Sequence, residues 1–266
     1  MIVSIASRFC GPVNSGNGGY TAGLIADALA GNDMAGKGHA WSIRLRQPPP
    51  LNEPLQLSPG EGGAFSMRRV ADDDASVIAK ATWQVFPMTT LRPPVDFERA
   101  RAGERDSIAW STSRFGSCFV CGSQRAPGDG LRIFPGPVGV APRTADGQTV
   151  ATLWRPDVSL AEDGRIAARY VWSALDCPGY FAINEDREYL LLAQMSARIY
   201  ELPAPDKPLL IQAWPLGRER RSKMAATAIY AGDGRILAVA HTRWMPPRGV
   251  SVPPPGADQQ RDTQKT

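Results

Sequence analysis

Histidine, the usual base partner of a catalytic serine or cysteine, is scarce in the sequence. It contains two histidines, His39 and His241. His39 follows glycines in a predicted turn and His241 lies within a predicted strand, so neither lies in a nucleophile-elbow motif. Glycines cluster at residues 16–19, but no lysine follows them and no βαβ pattern surrounds them. The sequence therefore argues against a Ser-His-Asp hydrolase, a P-loop protein and a dinucleotide-binding enzyme.

Long apolar runs and a strong charge imbalance are also missing. No stretch approaches the roughly 20 residues that a membrane-spanning helix needs, and residues 1–5 show no signal-peptide pattern. The net charge is +4, and the densest basic cluster, residues 218–221, includes a glutamate. We therefore expect neither a membrane nor a nucleic acid as a partner. These features predict a cytoplasmic protein of one or two globular domains.

Cysteine is scarce as well. The four cysteines are Cys10, Cys118, Cys121 and Cys177. Cys118 and Cys121 have the spacing of a zinc knuckle, but no second CxxC pair or histidine pair follows nearby. In a reducing compartment we expect four free thiols and no metal site.

Two glycines precede a clear helical pattern. Asn17, Gly18 and Gly19 open a segment, about residues 18–30, in which apolar side chains recur at helical spacing. The first N–H groups of a helix lack partners within it, and glycines leave room for a ligand oxygen to approach them. The segment is either such a binding site or an ordinary loop before a core helix.

The rest of the pattern predicts strands on both sides of a proline-rich, charged linker that holds a short helix near residues 98–106. A second helical segment is expected over 166–174, ending near Pro178 and Gly179. The predicted strands are 2–9, 39–47, 54–57, 64–71, 76–85, 130–135, 149–155, 189–201, 208–215, 223–231 and 235–245.

The two halves of the sequence repeat each other. Residues 42–46 correspond to residues 196–200, and a proline-bearing connection of equal length follows each segment. In each half a helix comes before these segments and two strands joined by an acidic turn come after them. An internal repeat of this kind predicts two copies of one module, each an apolar helix wrapped by an antiparallel sheet. The predicted organisation is a module at 1–86, a linker at 87–116, a second module at 117–246 and a disordered tail at 247–266.

In the glycine-led helix start and the repeated strand segments, the sequence resembles the tandem hotdog-fold thioesterases of the acyl-CoA type. Asn17-Gly18-Gly19 is similar to the His-Gly-Gly helix start of single-hotdog thioesterases, and residues 172–176 and the strand pairs at 42–57 and 196–211 add to the likeness. The resemblance implies an α+β, double hotdog fold with a fatty acyl thioester bound between two helices. It implies no cofactor beyond the coenzyme A of the substrate, and it is compatible with a homo-oligomer.

The resemblance also implies which residues form the site. In single-hotdog thioesterases the catalytic acid follows the histidine by nine residues, but an alanine stands nine residues after Asn17. The first half thus has the glycines without the acid, whereas the second half has Asp176 without the glycines. The implied site is composite, with Gly18, Gly19 and Tyr20 near the thioester carbonyl oxygen and Asp176 as the base.

Other site residues follow from the same resemblance. Gln194 is the candidate for positioning the catalytic water, and Ser196 and Asn17 are candidates for substrate contacts. Gln194 is equally compatible with a strand amide that its neighbours satisfy, and Asp176 with a solvated residue that caps a helix end. Asn17 in place of the histidine and Trp244 near the expected position of a late glutamine depart from the family pattern.

The sequence thus predicts a hydrolase that cleaves an acyl-CoA or a similar acyl thioester. One alternative is a protein that binds acyl thioesters or lipids without catalysis. A hotdog hydratase or dehydratase is less favoured, because no histidine closely follows Asp176.

Overall fold

The structure is a computed structural model that describes residues 1–12, 14–30, 38–70, 76–87, 90–110, 115–140, 144–184 and 188–247. The helices are α1 (Gly18–Leu29), α2 (Phe97–Arg105), α3 (Ala168–Ala174) and α4 (Cys177–Ile183). The strands are β1 (Ile2–Val3), β2 (His39–Leu45), β3 (Leu55–Pro59), β4 (Phe65–Arg69), β5 (Ala79–Val85), β6 (Gly136–Pro137), β7 (Val150–Trp154), β8 (Ala161–Glu162), β9 (Arg165–Ile166), β10 (Leu191–Ile199), β11 (Leu209–Glu219), β12 (Ser222–Tyr230) and β13 (Ile236–Met245).

Eleven strands form one antiparallel sheet in the order β1-β3-β4-β5-β2-β10-β13-β12-β11-β7-β6. Strands of the first half lie on one side of this order and strands of the second half on the other, so the halves meet where β2 pairs with β10. Ser42 pairs there with Ser196, its counterpart in the sequence repeat. Two equivalent modules related by a pseudo-twofold axis require this kind of pairing.

Helices α1, α3 and α4 pack on one face of the sheet, which we call the inner face. Ile43 of β2 and Met195 of β10 are paired, fully buried and part of the same core cluster as Ile25 and Leu29 of α1. Burial of each such side chain stabilises the fold by about 1.5–3 kcal/mol. Because α1 is apolar around most of its circumference, it can lie enclosed by strands and helices from both modules.

Helices α1 and α3 approach each other closely because α1 carries glycine at two positions one turn apart. A Cβ atom added to Gly23 would lie 2.7 Å from the Cα of Arg169, and one added to Gly19 would lie 2.4 Å from the Cβ of Asp176. Neither distance is sterically acceptable for a real side chain. The absence of side chains at Gly19 and Gly23 therefore lets the second module reach the first turn of α1.

Helix α2 covers part of the outer face of the sheet, and the prediction of a short helix in the linker is confirmed. Asp96 caps this helix, its side chain accepting a hydrogen bond from the Arg99 N–H at 2.7 Å. Ala100 of α2 packs against Trp214 of β11 and Tyr230 of β12 in a second core cluster. The linker is thus part of the packed fold.

Three sequence predictions are wrong. The first strand covers only Ile2–Val3, because a 3-10 turn at Ser7–Phe9 replaces the extended chain. Residues 130–135 form no strand, since their N–H groups bond to the loop carbonyls of residues 119 and 120 rather than to a neighbouring strand. The prediction that Pro178 and Gly179 stop the helical region is also wrong: α3 ends at Ala174 as expected, but a separate helix, α4, runs through both residues, because proline needs no N–H partner in a first turn. The acidic turn at 72–74 and the tail at 248–266 lie outside the described residues.

No helix within the described parts of the chain is both long and apolar enough to cross a membrane.

Candidate functional site

Asp176 lies at the break between α3 and α4, in the second module. Helix α3 ends at Ala174, and Pro178 stands in the first turn of α4. Only 2% of Asp176 is exposed, and its side chain makes no capping hydrogen bond to α4. Asp176 is therefore not the solvated cap that was the alternative interpretation, and its carboxylate points to the other module.

The carboxylate of Asp176 is held by the first turn of α1. Its Oδ2 atom accepts hydrogen bonds from the Gly19 N–H at 2.9 Å and from Asn17 Nδ2 at 3.0 Å. Asn17 Oδ1 accepts in turn from the Tyr20 N–H at 2.8 Å, so Asn17 is also the N-cap of α1. Among the described residues, no donor reaches Asp176 Oδ1. One oxygen of the carboxylate is fixed and the other has no partner.

Burial is the main electrostatic influence on Asp176. It disfavours the charged form and raises the pKa of the carboxyl group to about 7, and the nearby Cys118 thiol adds to this effect. The hydrogen bonds from Gly19 and Asn17 favour the carboxylate and lower the pKa in part. A carboxyl group with this balance can accept and release a proton near neutral pH.

The glycines that open α1 make room for protein groups. The Gly19 N–H is engaged by Asp176, and a Cβ atom on Gly18 would lie 2.8 Å from Cδ2 of Leu192. Among the described residues, no hydrogen-bond acceptor reaches the Gly18 N–H. Of the two amides that were predicted to bind the carbonyl oxygen, only that of Gly18 lacks a partner.

Gln194 and Ser196 do not lie at Asp176. Both flank Met195, whose side chain faces the helices, so theirs face the opposite, outer side of the sheet. The Gln194 amide there donates to the Ser42 hydroxyl at 2.8 Å. The physical reason is an irregularity in β10 between Leu192 and Gln194, which shifts the register with β13 and turns Gln194 away from the inner face. The structure thus does not support a catalytic role for Gln194 or a substrate contact for Ser196.

Tyr20 belongs to an aromatic cluster beside the start of α1. Its ring stacks on Phe9 with centroids 3.9 Å apart, and Phe119 and Tyr170 complete the cluster. Burial raises the pKa of the Tyr20 hydroxyl to about 12. The ring of Tyr20 therefore packs between the modules, and its backbone N–H contributes to the site through Asn17.

Three of the four cysteines that we predicted to be free thiols lie together next to Asp176. The sulfur atoms of Cys118, Cys121 and Cys177 are all within 4.8 Å of one another, and all three residues are buried. Cys177 follows Asp176 directly, and Asn17 Nδ2 lies 3.7 Å from the Cys118 sulfur. The CxxC spacing was the available sequence signal, but nothing in the sequence shows that the fold adds Cys177 to the pair.

An arginine-lined pocket of about 210 Å³ lies near the start of α1. Its lining includes Arg8, Arg132, Arg155 and Asp157. Arg8 precedes Phe9, whose carbonyl accepts a hydrogen bond at 2.8 Å from the N–H of the N-cap residue of α1. The excess of guanidinium groups makes the pocket suitable for an anionic group.

No protein family and no curated protein matches the sequence. Solved structures do match the fold across nearly the whole chain. A candidate thioesterase from Novosphingobium aromaticivorans is similar with a TM-score of 0.60 and 11% identity over 92% of this chain and 94% of that one. The tesB protein of Mycobacterium avium subspecies paratuberculosis gives a TM-score of 0.56 and 15% identity over 92% of both chains.

A hot dog fold protein of unknown function from Alicyclobacillus acidocaldarius gives a TM-score of 0.55 and 13% identity, covering 94% of this chain and 93% of that chain. At these identities the similarity establishes the architecture and not the reaction. It confirms the fold that the sequence predicted: the chain has an α+β double hotdog fold like that of these three structures.

Proposed function

We propose that this protein hydrolyses an acyl-CoA or a similar acyl thioester at a composite site between its two modules. The observation that carries the proposal is the 2.9 Å hydrogen bond between the Gly19 N–H of the first module and Asp176 Oδ2 of the second. A buried carboxylate is costly unless it is paired and hydrogen-bonded, yet Asp176 Oδ1 has no partner among the described residues and can act as an acceptor. The similarity of fold to thioesterase-like proteins supports the same reaction class.

In this proposal each group has a defined task. Asp176 Oδ1 accepts a proton from water as the water oxygen bonds to the thioester carbonyl carbon, while Gly19 and Asn17 hold Oδ2. The Gly18 N–H, at the positive end of the α1 dipole, donates to the carbonyl oxygen as negative charge develops there. When the carbon–sulfur bond breaks, Asp176 returns the proton to the leaving thiolate. The products are a carboxylic acid and a thiol.

In this proposal the arginine-lined pocket binds the phosphate groups of coenzyme A. Arg155 lines it and is exposed. We expect Arg155→Ala to raise KM for acyl-CoA several-fold with little change in kcat, because phosphates lie far from the reacting carbon. The change should have no effect on an acyl thioester of N-acetylcysteamine, which has no phosphate. Equal effects on the two substrates would exclude the pocket as the phosphate site.

A second candidate function is binding of acyl thioesters without hydrolysis. It is favoured by the hydrogen bond that already engages the Gly19 N–H and by the position of Gln194 on the outer face, where it cannot hold a water at Asp176. In this case Asp176 would stabilise the module interface, and the protein would sequester its ligand.

Thiol release from a panel of acyl-CoA substrates, from short to long chains, tests the two functions. Asp176→Asn preserves an oxygen to accept from Gly19 and Asn17, so the fold is retained while the base is lost. We expect kcat/KM to fall about 10²–10⁴-fold. The matched control is Asp27→Asn, which removes a carboxylate from the same helix pair, at the ion pair with Arg169, and should leave kcat/KM close to that of the wild type.

Two outcomes contradict hydrolysis at Asp176. Equal turnover by the wild type and by Asp176→Asn would show that the reaction takes place at another site. No turnover by the wild type, combined with tight acyl-CoA binding in calorimetry, would favour the binding function.

A further inference from the structure

We propose that Cys118, Cys121 and Cys177 form a binding site for a thiophilic divalent metal ion, with Zn²⁺ as the best-suited ion. The site is distinct from the chemistry assigned to Asp176. It is built from the loop that opens the second module and from the first residue of α4, so a bound ion would tie these two segments together.

The distances fit a metal better than a disulfide. The sulfur atoms of Cys118 and Cys177 are 3.9 Å apart, and zinc–sulfur bonds of about 2.3 Å in a tetrahedral site place two sulfurs about 3.8 Å from each other. A disulfide requires about 2.05 Å. The third sulfur, of Cys121, lies within 4.8 Å of both. Three soft ligands thus surround one point, as a metal of this class requires.

Hydrogen bonds hold both the Cys118 sulfur and the turn that carries it. The Asn17 side-chain amide donates to the Cys118 sulfur at 3.7 Å, and the Gly122 N–H closes the turn on the Cys118 carbonyl at 2.9 Å. A donor aimed at sulfur compensates the negative charge of a thiolate.

The surroundings of the cluster favour a cation as well. Three cysteines buried together with Asp176 concentrate acidic groups in a region that has little access to water. No lysine or arginine side chain of the described residues forms an ion pair with Asp176, which bonds instead to Gly19 and Asn17. A divalent ion would supply the missing positive charge. The three thiolates would fill three of the four positions of a tetrahedral site.

Metal binding by the full chain tests the proposal without reference to turnover. Protein that has been reduced and stripped with a chelator is titrated with Co²⁺ and, separately, with Zn²⁺. We expect one ion per chain by elemental analysis, sulfur-to-cobalt charge-transfer bands in the near ultraviolet, and the visible bands of tetrahedral Co²⁺. Zn²⁺ should then displace Co²⁺ and remove these bands.

Single serine substitutions locate the ligands. Cys118→Ser, Cys121→Ser and Cys177→Ser should each lose stoichiometric binding, whereas Cys10→Ser should retain it, because Cys10 bonds to Arg125 and Ser117 outside the cluster. If a variant does not fold, the titration of the wild type decides alone. Failure of the reduced wild type to take up either ion would overturn the proposal. So would binding that survives loss of any of the three cysteines, or a Cys118–Cys177 disulfide in place of the metal.

Discussion

At the scale of single residues, Asn17 connects three features that sequence reasoning treated separately. Its Oδ1 caps α1, its Nδ2 donates to Asp176, and the same Nδ2 lies 3.7 Å from Cys118. The sequence analysis made Asn17 a candidate for substrate contacts, whereas in the structure its side chain bonds to Asp176 and to the Tyr20 N–H. With both ends of its amide engaged, Asn17 sets the orientation of the Asp176 carboxylate and thereby determines which of its oxygens is available.

Substitution of Asn17 separates capping from orientation. Asn17→Ala should cost about 1 kcal/mol of stability through loss of the cap and should also lower kcat, because Asp176 loses one of its two donors. Asp96→Ala removes the cap of α2 and should cost a similar amount with no effect on kcat. Chemical denaturation and thiol-release kinetics measure the two effects. Equal loss of kcat in both variants would show that Asn17 acts only through stability.

At the scale of elements, the close approach of α1 to α3 and Asp176 explains why α1 carries glycine at position 19. The sequence analysis predicted that bare backbone at this point admits a ligand oxygen, and the oxygen that reaches the Gly19 N–H is that of Asp176. The start of α1 and most of the strands could be predicted because they depend on local pattern. The outward turn of Gln194 could not, since one irregularity in β10 reverses the face of a side chain. Neither could the addition of Cys177 to the Cys118 pair, which depends on tertiary packing.

Alanine at the helix crossing tests this interpretation. Gly19→Ala would place its Cβ 2.4 Å from the Cβ of Asp176, so the helices must separate and both activity and stability should fall. We expect a loss of about 1–3 kcal/mol, typical of overpacking. The control is Gly232→Ala, whose Cβ would meet only the Phe97 ring at 3.9 Å, and it should leave the melting temperature nearly unchanged. A Gly19→Ala protein with wild-type stability would show that the crossing tolerates a side chain.

At the scale of the whole molecule, the continuous sheet makes the two modules mutually dependent. Each contributes one strand to the β2–β10 pairing, one helix to the α1–α3 contact and one partner of the Gly19–Asp176 hydrogen bond. Removal of either module would expose the buried edge of the other and separate Asp176 from Gly19. The domain boundary at residues 87–116 remains a prediction, and α2 within it packs on the sheet of the second module. We therefore expect the chain to fold as one cooperative unit.

Unfolding measured by two probes tests this cooperativity. In guanidinium chloride, tryptophan fluorescence and far-ultraviolet circular dichroism should give one coincident transition. Ile43→Ala, at the fully buried centre where β2 meets Met195 of β10, should shift both curves together and cost about 2–5 kcal/mol. Val85→Ala, at a strand end that is 65% exposed, should change stability by less than about 0.5 kcal/mol. Because the seven tryptophans occur in both halves, two separated transitions would reveal modules that unfold independently. A composite site would then exist only while the two modules are associated.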